Sequence, residues 1–391
     1  MPVPPEEFVG RHAIIDRIQQ RGLKQVSSGR SYCFFLEGES GFGKTSLAQY
    51  IMKLGSLKKV EGMDSGYGLL PLYVSVGGCE TREDFAEFVL RAAASLSGTW
   101  DALRNFLSKF VSSLTLFGVV EVNTSAIRES APDLATPDAL LGFLANLRRN
   151  TGTNGVILVL DEINGIANTT WFPQFMKSLV DVNAVNSHVP LLLIFCGIPE
   201  RRQQMIQNHK PVERIWDPIQ VDAVNVKDIE SYLVKAFSSV RIEVTKEALD
   251  LMTFYSGGHP RIMHIIGDVA FWQDSDEYID EDDTERALEG AADEVGAKFV
   301  DRQVIDELHS TTYKRILKIV GQRILENGFG FGFTRKDVLQ QLRDPALERN
   351  LDNFLQRLRN LGAIDSNGRG AYKFSLPIIE AYIAILSARS D

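Results

Sequence analysis

Eight residues constrain this chain more than any other feature: Gly38-Glu39-Ser40-Gly41-Phe42-Gly43-Lys44-Thr45, of the form G-x-x-x-x-G-K-T. An apolar run at Tyr32–Leu36 precedes them, and a helical pattern from Lys44 to about Leu54 follows. Glycines at this spacing adopt backbone angles that a side chain opposes, so successive N–H groups can turn inward around an anion. The helix behind them presents its positive end to the same anion. The pattern predicts a phosphate-binding loop in which Lys44 neutralises β- and γ-phosphates and Thr45 gives its hydroxyl to magnesium. Gly38, Glu39, Ser40, Gly41, Phe42, Gly43, Lys44, Thr45 and Ser46 are the expected nucleotide-binding set.

A second motif follows the all-apolar run Val156–Leu160: the pair Asp161-Glu162. An all-apolar strand is expected where both faces of a sheet are covered. A carboxylate at the C-terminal end of such a strand sits in the crevice where open α/β sheets bind ligands. Asp161 is the expected holder of a magnesium-bound water. Glu162 is the expected group that polarises an attacking water, which favours hydrolysis over binding alone.

The strands and helices around these motifs set the fold class. Strands are predicted at Leu70–Val76, Val156–Leu160, Pro190–Cys196 and Pro218–Val221, besides Tyr32–Leu36. Helices are predicted at about His12–Ser28, Glu83–Leu96, Pro137–Asn150, Trp171–Val180 and Lys227–Phe237. Short buried strands alternating with helices predict a parallel sheet in a three-layer α/β domain. The alternation stops near residue 226. Residues 97–136 read less clearly, with a helix near Asp101–Phe110 and a short hairpin at Leu114–Asn123. From Thr245 to about Phe299 only helices are expected. Asp274–Glu285 holds eight acidic residues and no basic one, which predicts a solvated loop and helix start.

Composition narrows the class further. A chain of 391 residues, 44% apolar and 24% charged, suits a globular protein of two or three domains. A net charge of −9 argues against a general nucleic-acid binder, so any DNA-facing surface has to be local. The three cysteines, Cys33, Cys79 and Cys196, form no Cys-x-x-Cys pair, which argues against zinc or a disulfide framework. Cys33 and Cys196 lie in apolar runs and are expected to be core thiols. The N-terminal residues carry no signal-peptide pattern, and the longest apolar stretch, Val189–Ile198, falls well short of the ~20 residues of a membrane span. A soluble, cytoplasmic protein without a membrane partner is expected.

With both motifs placed, the chain resembles the AAA+ and STAND-like P-loop ATPases. It looks closest to archaeal-type ATPases and origin-initiator relatives with a C-terminal winged helix. The nucleotide this resemblance implies is ATP, in keeping with the lack of an Asn-Lys-x-Asp motif for guanine. Phe8-Val9-Gly10-Arg11 resembles the entry segment that lies against the adenine in this group, which implies base contacts for Phe8, Val9 and Arg11. Gly257-Gly258-His259-Pro260-Arg261 looks like the start of a lid helix, with Pro260 near the base and Arg261 as a second sensor of the phosphates. Arg214 matches the position of an arginine that reaches a neighbouring subunit's nucleotide, with Arg201 and Arg202 as rivals. One departure stands out: relatives usually place Asn, Ser or Thr at the end of the strand where this chain has Cys196-Gly197. That implies slow or gated hydrolysis, with Asn164 as a possible substitute.

Residues 311–391 carry 13 Lys+Arg against 8 Asp+Glu, a balance of +5, which leaves −14 for the remainder (29 against 43). Helices are predicted at Tyr313–Glu326, Thr334–Leu342 and Leu347–Leu361, then a two-stranded wing from Ile364 to Phe374. The third helix would bury Leu351, Phe354, Leu355, Leu358 and Leu361, and turn outward Arg349, Asn350, Asn353, Gln356, Arg357 and Asn360. Arg, Asn and Gln are the residue types that read base edges in a major groove. Arg349, Asn350, Asn353, Arg357 and the wing's Arg369 are the candidate DNA-binding residues.

The sequence thus divides into an AAA+-like base (1–226), a helical lid (227–305) and a winged helix (306–391). Its expected function is an ATP-hydrolysing switch that controls binding of double-stranded DNA or assembly with like subunits. In the alternative, STAND-like reading, the winged helix docks within the chain or on a protein partner.

Overall fold

The computed structural model describes residues 5–6, 8–57, 66–96, 134–296, 311–330, 332–342, 345–360 and 362–389. The helix expected near Asp101–Phe110 and the hairpin at Leu114–Asn123 lie outside the described residues. The chain divides into two compact units, Met1–Asp222 and Ala223–Asp391.

In the first unit, strands β1 (Tyr32–Glu37), β2 (Leu69–Ser75), β3 (Gly155–Asp161), β4 (Leu191–Gly197) and β5 (Asp217–Gln220) form one sheet in the order β2-β3-β4-β1-β5. Every pairing is parallel, so all five C-terminal ends share one edge. Alternate residues of each strand point to opposite faces. Phe35, Leu158, Leu160, Leu193 and Phe195 join a core on one side with helices α4 (Arg82–Ala94), α5 (Pro137–Thr151) and α6 (Trp171–Val182). Phe34, Leu36, Ile157, Val159, Leu192 and Ile194 join a core on the other side with helices α1 (His12–Ile18), α2 (Lys24–Ser27) and α3 (Lys44–Ser56). This is the expected three-layer α/β arrangement. It accounts for the uninterrupted burial of β3 and β4, since neither face meets water.

The helix expected over His12–Ser28 is interrupted by one π-helical turn, Gln19–Leu23. Gly22 lies in it, and a Cβ there would approach the Phe34 ring to 2.8 Å. The glycine lets the helix lie close on the sheet. Helix α7 (Pro199–Asn208) and the 3-10 turn Lys210–Ile215 fall in a polar stretch whose periodicity did not predict them.

The second unit begins with helix α8 (Val226–Ser239). The sequence predicts only helices from Thr245 to about Phe299, but a short strand falls inside that stretch at Tyr278–Ile279. Two two-residue strands, β6 (Glu243–Val244) and β7 (Tyr278–Ile279), pair in parallel, flanking helices α9 (Lys246–Ser256) and α10 (Pro260–Gln273). Two residues are too few to show alternation, so the pairing is invisible to pattern. The acidic run becomes a helix start: Asp280 and Asp283 form a reciprocal cap for helix α11 (Glu281–Val295).

The chain continues as helix α12 (Thr311–Asn327), strand β8 (Phe333–Thr334), helices α13 (Arg335–Gln341) and α14 (Pro345–Asn360), strands β9 (Ile364–Ser366) and β10 (Ala371–Phe374) and helix α15 (Pro377–Ala388). The three strands form an antiparallel sheet in the order β8-β10-β9. Thr334 and Asp337 cap α13 reciprocally, as their spacing predicts. Helix α15 was not predicted. It packs closely on α12, where a Cβ on Gly321 would meet the Ile383 carbonyl at 2.4 Å.

Glu380 of α15 is a buried carboxylate, 4% exposed, whose oxygens accept the Gly330 N–H at 3.0 Å. Burial pushes its carboxyl up, against the opposing pull of that hydrogen bond. A carboxyl with a raised folded-state value binds more protons folded than unfolded, so stability falls as pH rises through that window. Glu380→Gln is therefore expected to raise the melting temperature by roughly 2–4 °C at pH 7–8, for a relief of about 1 kcal/mol. The gain should vanish near pH 4. Melting curves of both proteins across pH 4–8 check this, and a constant difference would refute it.

Candidate functional site

The loop Gly38–Gly43 leaves the end of β1 and enters α3 at Lys44. Gly41 and Gly43 have φ of 87° and 81°, the left-handed region that L side chains oppose. Gly38 is required for a different reason: a Cβ there would meet the Val221 carbonyl oxygen at 2.3 Å. The three glycines thus shape a loop at the N-terminus of a 13-residue helix, where the helix dipole and the N–H groups of the first turn favour an anion.

Parallel register brings the other groups to the same edge. Ser75 pairs with Asp161, and Glu37 with Gly197. Asp161 is 3% exposed and fully engaged. Its Oδ2 accepts from Thr45 Oγ1 at 2.6 Å and from the Tyr73 hydroxyl at 2.8 Å, while Oδ1 accepts from the Glu162 N–H at 2.8 Å. The pairing of Thr45 with Asp161 across 116 positions of sequence joins the two motifs at one point. Their oxygens are hard donors of the kind that hold a hydrated divalent cation beside substrate phosphates. No group of three or more His, Cys, Asp or Glu forms a closed metal site among the described residues.

Lys44 donates from Nζ to the Gly38 and Glu39 carbonyls, each at 2.8 Å. Burial lowers its proton affinity, partly offset by the negative groups around it, Asp161 among them. Burial likewise pushes the Tyr73 hydroxyl up, helped by the Asp161 charge. Tyr73 therefore stays a neutral hydrogen-bond donor. Cys196 is 1% exposed and its thiol is pushed well up by burial, so it is a neutral core group at the end of β4.

Glu162 is exposed and sits at φ 57°. A glutamate in the left-handed region costs roughly 1–2 kcal/mol, and such strain gathers at functional positions. Its Oε2 accepts from Ser75 Oγ at 2.8 Å. Gly77 makes room for it, since a Cβ there would come within 3.1 Å of the same oxygen. Tyr73 and Ser75 were not singled out in the sequence. The only signal was two polar side chains at the end of an otherwise apolar strand.

Arg11, the N-cap of α1 at φ 58°, donates from Nη2 to the Phe42 carbonyl at 2.5 Å and to the Asp222 carbonyl at 2.8 Å. It braces the loop from behind. Phe8 stacks on Tyr50 of α3, with ring centroids 4.9 Å apart, and Val9 is half-buried. Phe42 packs against the sheet core and Ser46 is buried in α3. Asn164 is exposed.

Arg214 is not brought to this loop. It is exposed in the turn before β5 and lines a cavity of about 690 Å³ together with Tyr32 and Leu191, the first residues of β1 and β4. That is the opposite edge of the sheet. Arg202 is held within its own chain by Glu37, with Nε 2.6 Å from Oε2 and Nη2 3.2 Å from Oε1.

Pro260 and Arg261 belong to the second unit, where Pro260 opens α10 and Arg261 is exposed on its first turn. On α14, Leu351, Phe354, Leu355 and Leu358 are buried, and Arg349, Asn350, Asn353, Gln356, Arg357 and Asn360 are exposed, as is Arg369. Leu361 lies outside the described residues.

Residues 7–194 match the family described as the AAA ATPase domain. No curated protein matches the sequence. Among solved structures, the chain is similar to the Walker-type ATPase PABY2304 of Pyrococcus abyssi, at 17% identity and a TM-score of 0.56, over 98% of this chain and 97% of that one. It is also similar to the ORC2 protein of Aeropyrum pernix in its ADP form, at 14% identity and a TM-score of 0.50, over 97% and 93%. At these identities the likeness concerns the fold. The glycine-rich loop, the carboxylate pair and the family match together identify residues 7–194 as an AAA ATPase domain, in a chain whose fold resembles that of the Walker-type ATPase of Pyrococcus abyssi.

Proposed function

We propose that this ATPase is a magnesium-dependent molecular switch whose nucleotide state controls DNA binding or self-assembly through a C-terminal winged helix. In this reading residues 1–226 are the ATPase base, 227–305 the lid and 306–391 the winged helix. The element order α12-β8-α13-α14-β9-β10 supports a winged helix. One observation carries the choice of DNA: α14 buries its leucines and leaves Arg349, Asn350, Asn353 and Arg357 in solvent, with Arg369 exposed on the turn between β9 and β10.

Each residue of the site then has a role. The loop N–H groups and Lys44 hold the β- and γ-phosphates. Glu162 takes the proton of the attacking water, and Ser75 holds its carboxylate in place. Thr45 and Asp161 would hold magnesium, which when bound neutralises phosphate charge and orients the phosphates. Phe8, Val9 and Arg11 serve the adenine end, and the family resemblance assigns a base contact to Pro260 and a phosphate-sensing role to Arg261. Arg214, at the sheet edge away from its own loop, serves the nucleotide of a second copy, which makes a homo-oligomer the working form.

The test is binding of labelled duplex DNA by wild type and the double variant Arg349→Ala/Arg357→Ala, with ATP or ADP, over a range of salt. Base-reading arginines are each worth about 1–3 kcal/mol, so the double variant should bind at least tenfold more weakly. Where one of these arginines also neutralises a DNA phosphate, its removal should make the salt dependence shallower by about one unit of slope. If wild type binds no duplex in either nucleotide state at low salt, the DNA reading falls. ATP-dependent oligomers with turnover indifferent to DNA would then favour the STAND-like switch with a protein partner.

A further inference from the structure

Glu37 closes β1, and the next residue is Gly38, whose carbonyl accepts Lys44 Nζ. A carboxylate here adjoins the site of a polyanion. It is largely enclosed, with its side chain 10% exposed, and is held by the two-pronged contact of Arg202, 19% exposed. Register sets Glu37 beside Gly197, one residue after Cys196. The pair therefore occupies the stretch of sheet edge where β4 ends without a polar side chain.

Two physical points follow. A buried carboxylate left unpaired beside the phosphates would repel them, so Arg202 neutralises a charge that would otherwise oppose ATP. A guanidinium also has five N–H donors in a rigid fork that fits carboxylate and phosphate alike. The contacts to Glu37 use two of them. Arg202 rises from the first turn of α7, directly after β4, and Glu37 fixes where its fork points.

We propose that Arg202 is the group by which this site distinguishes ATP from ADP: Glu37 clamps it beside the phosphate loop, and its remaining donors take the terminal phosphate. It thereby supplies in cis the polar contact that the end of β4 lacks. This rests on Gly38–Thr45 holding the triphosphate.

The experiment measures binding of ADP and of a non-hydrolysable ATP analogue, both with magnesium, to the full chain. Wild type is compared with Arg202→Gln, Arg202→Lys, Glu37→Gln and the double variant Glu37→Gln/Arg202→Gln, with Lys44→Ala as control. Arg202→Gln is expected to weaken the ATP analogue about tenfold and ADP less than about threefold, as removal of a charge-assisted hydrogen bond to one phosphate implies. The double variant should keep that ATP-specific weakening, because removing the carboxylate's charge does not restore the donor. Arg202→Lys, which keeps the charge without the fork, should show the same preference in weaker form and serves if the glutamine variant does not fold. The proposal is overturned if Arg202→Gln weakens both nucleotides equally and the double variant recovers both, which would make the pair a structural brace. An unchanged ATP-to-ADP ratio in Arg202→Lys would also overturn it. Failure of the underlying site looks different: wild type would then bind neither nucleotide better than Lys44→Ala.

Discussion

Glu162→Gln is expected to lower ATP turnover by about 10²–10⁴-fold while leaving ATP affinity within a few-fold of wild type, the range for removing a positioned general base. The substitution is close to isosteric, and the amide oxygen can still accept the hydrogen bond now found between Ser75 Oγ and Glu162 Oε2. It also leaves the backbone alone. The φ of 57° and the room beside Gly77 serve glutamine as they serve glutamate, so the strain is not relieved. What disappears is the capacity to accept a proton from water. Glu162 lies outside the glycine-rich loop and is exposed, so its charge contributes little to holding the phosphates. Initial rates of phosphate release at saturating magnesium and ATP, set beside an independent binding curve, check the split. A variant that turns over at the wild-type rate would remove Glu162 from the mechanism.

Asp161→Asn should be as damaging to turnover, and unlike the first substitution it should also destabilise the fold. Asp161 accepts three hydrogen bonds, two hydroxyls on Oδ2 and the Glu162 N–H on Oδ1. An asparagine has one acceptor oxygen. If that oxygen faces the hydroxyls, its NH₂ meets the Glu162 N–H, donor against donor. If it faces the N–H, then the Thr45 and Tyr73 hydroxyl hydrogens both lose their acceptor and meet the asparagine NH₂ instead. Either way a buried polar group is left unpaired, at a cost of about 1–3 kcal/mol. A fall in melting temperature of roughly 2–8 °C should accompany it. The negative charge proposed to face magnesium goes as well, so turnover should fall by about 10²–10³-fold, as when a preorganised electrostatic interaction is removed. A magnesium titration of turnover together with a melt checks both halves. Wild-type rates at saturating magnesium would show that Asp161 is structural only.

The site was legible to an unequal degree. The loop Gly38–Thr45 and the Asp161-Glu162 pair could be read because each is a short contiguous pattern, and chain geometry makes the local structure follow from the residues. Ser75 and Tyr73 could not, because their roles depend on which strand lies next to β3. The pairing of β2 with β3 skips residues 76–154, and nothing local announces it. From sequence, Arg202 is only a rival of Arg214 for a contact with another subunit. Its clamp on Glu37 spans 165 positions and exists because β4 and β1 are neighbours. The short pair β6–β7 and the helix α15 escaped for a different reason. Two residues carry no periodicity, and a helix buried nearly all round shows no polar face to mark it.

The sequence by itself determined the things that depend on local sterics and on burial. These are the glycine loop, the helix caps at Thr334 and Asp280, the apolar strands β3 and β4, and the leucine-in, arginine-out pattern of α14. Only the tertiary structure decided which ends of which strands share an edge. It thus decided that Thr45, Tyr73, Ser75, Asp161 and Glu162 converge, while Arg214 stands at the other end of the sheet. The reason is that a strand's residues specify its two faces but not its neighbours. Strand order is settled by packing both faces at once, and that sum runs over the whole domain.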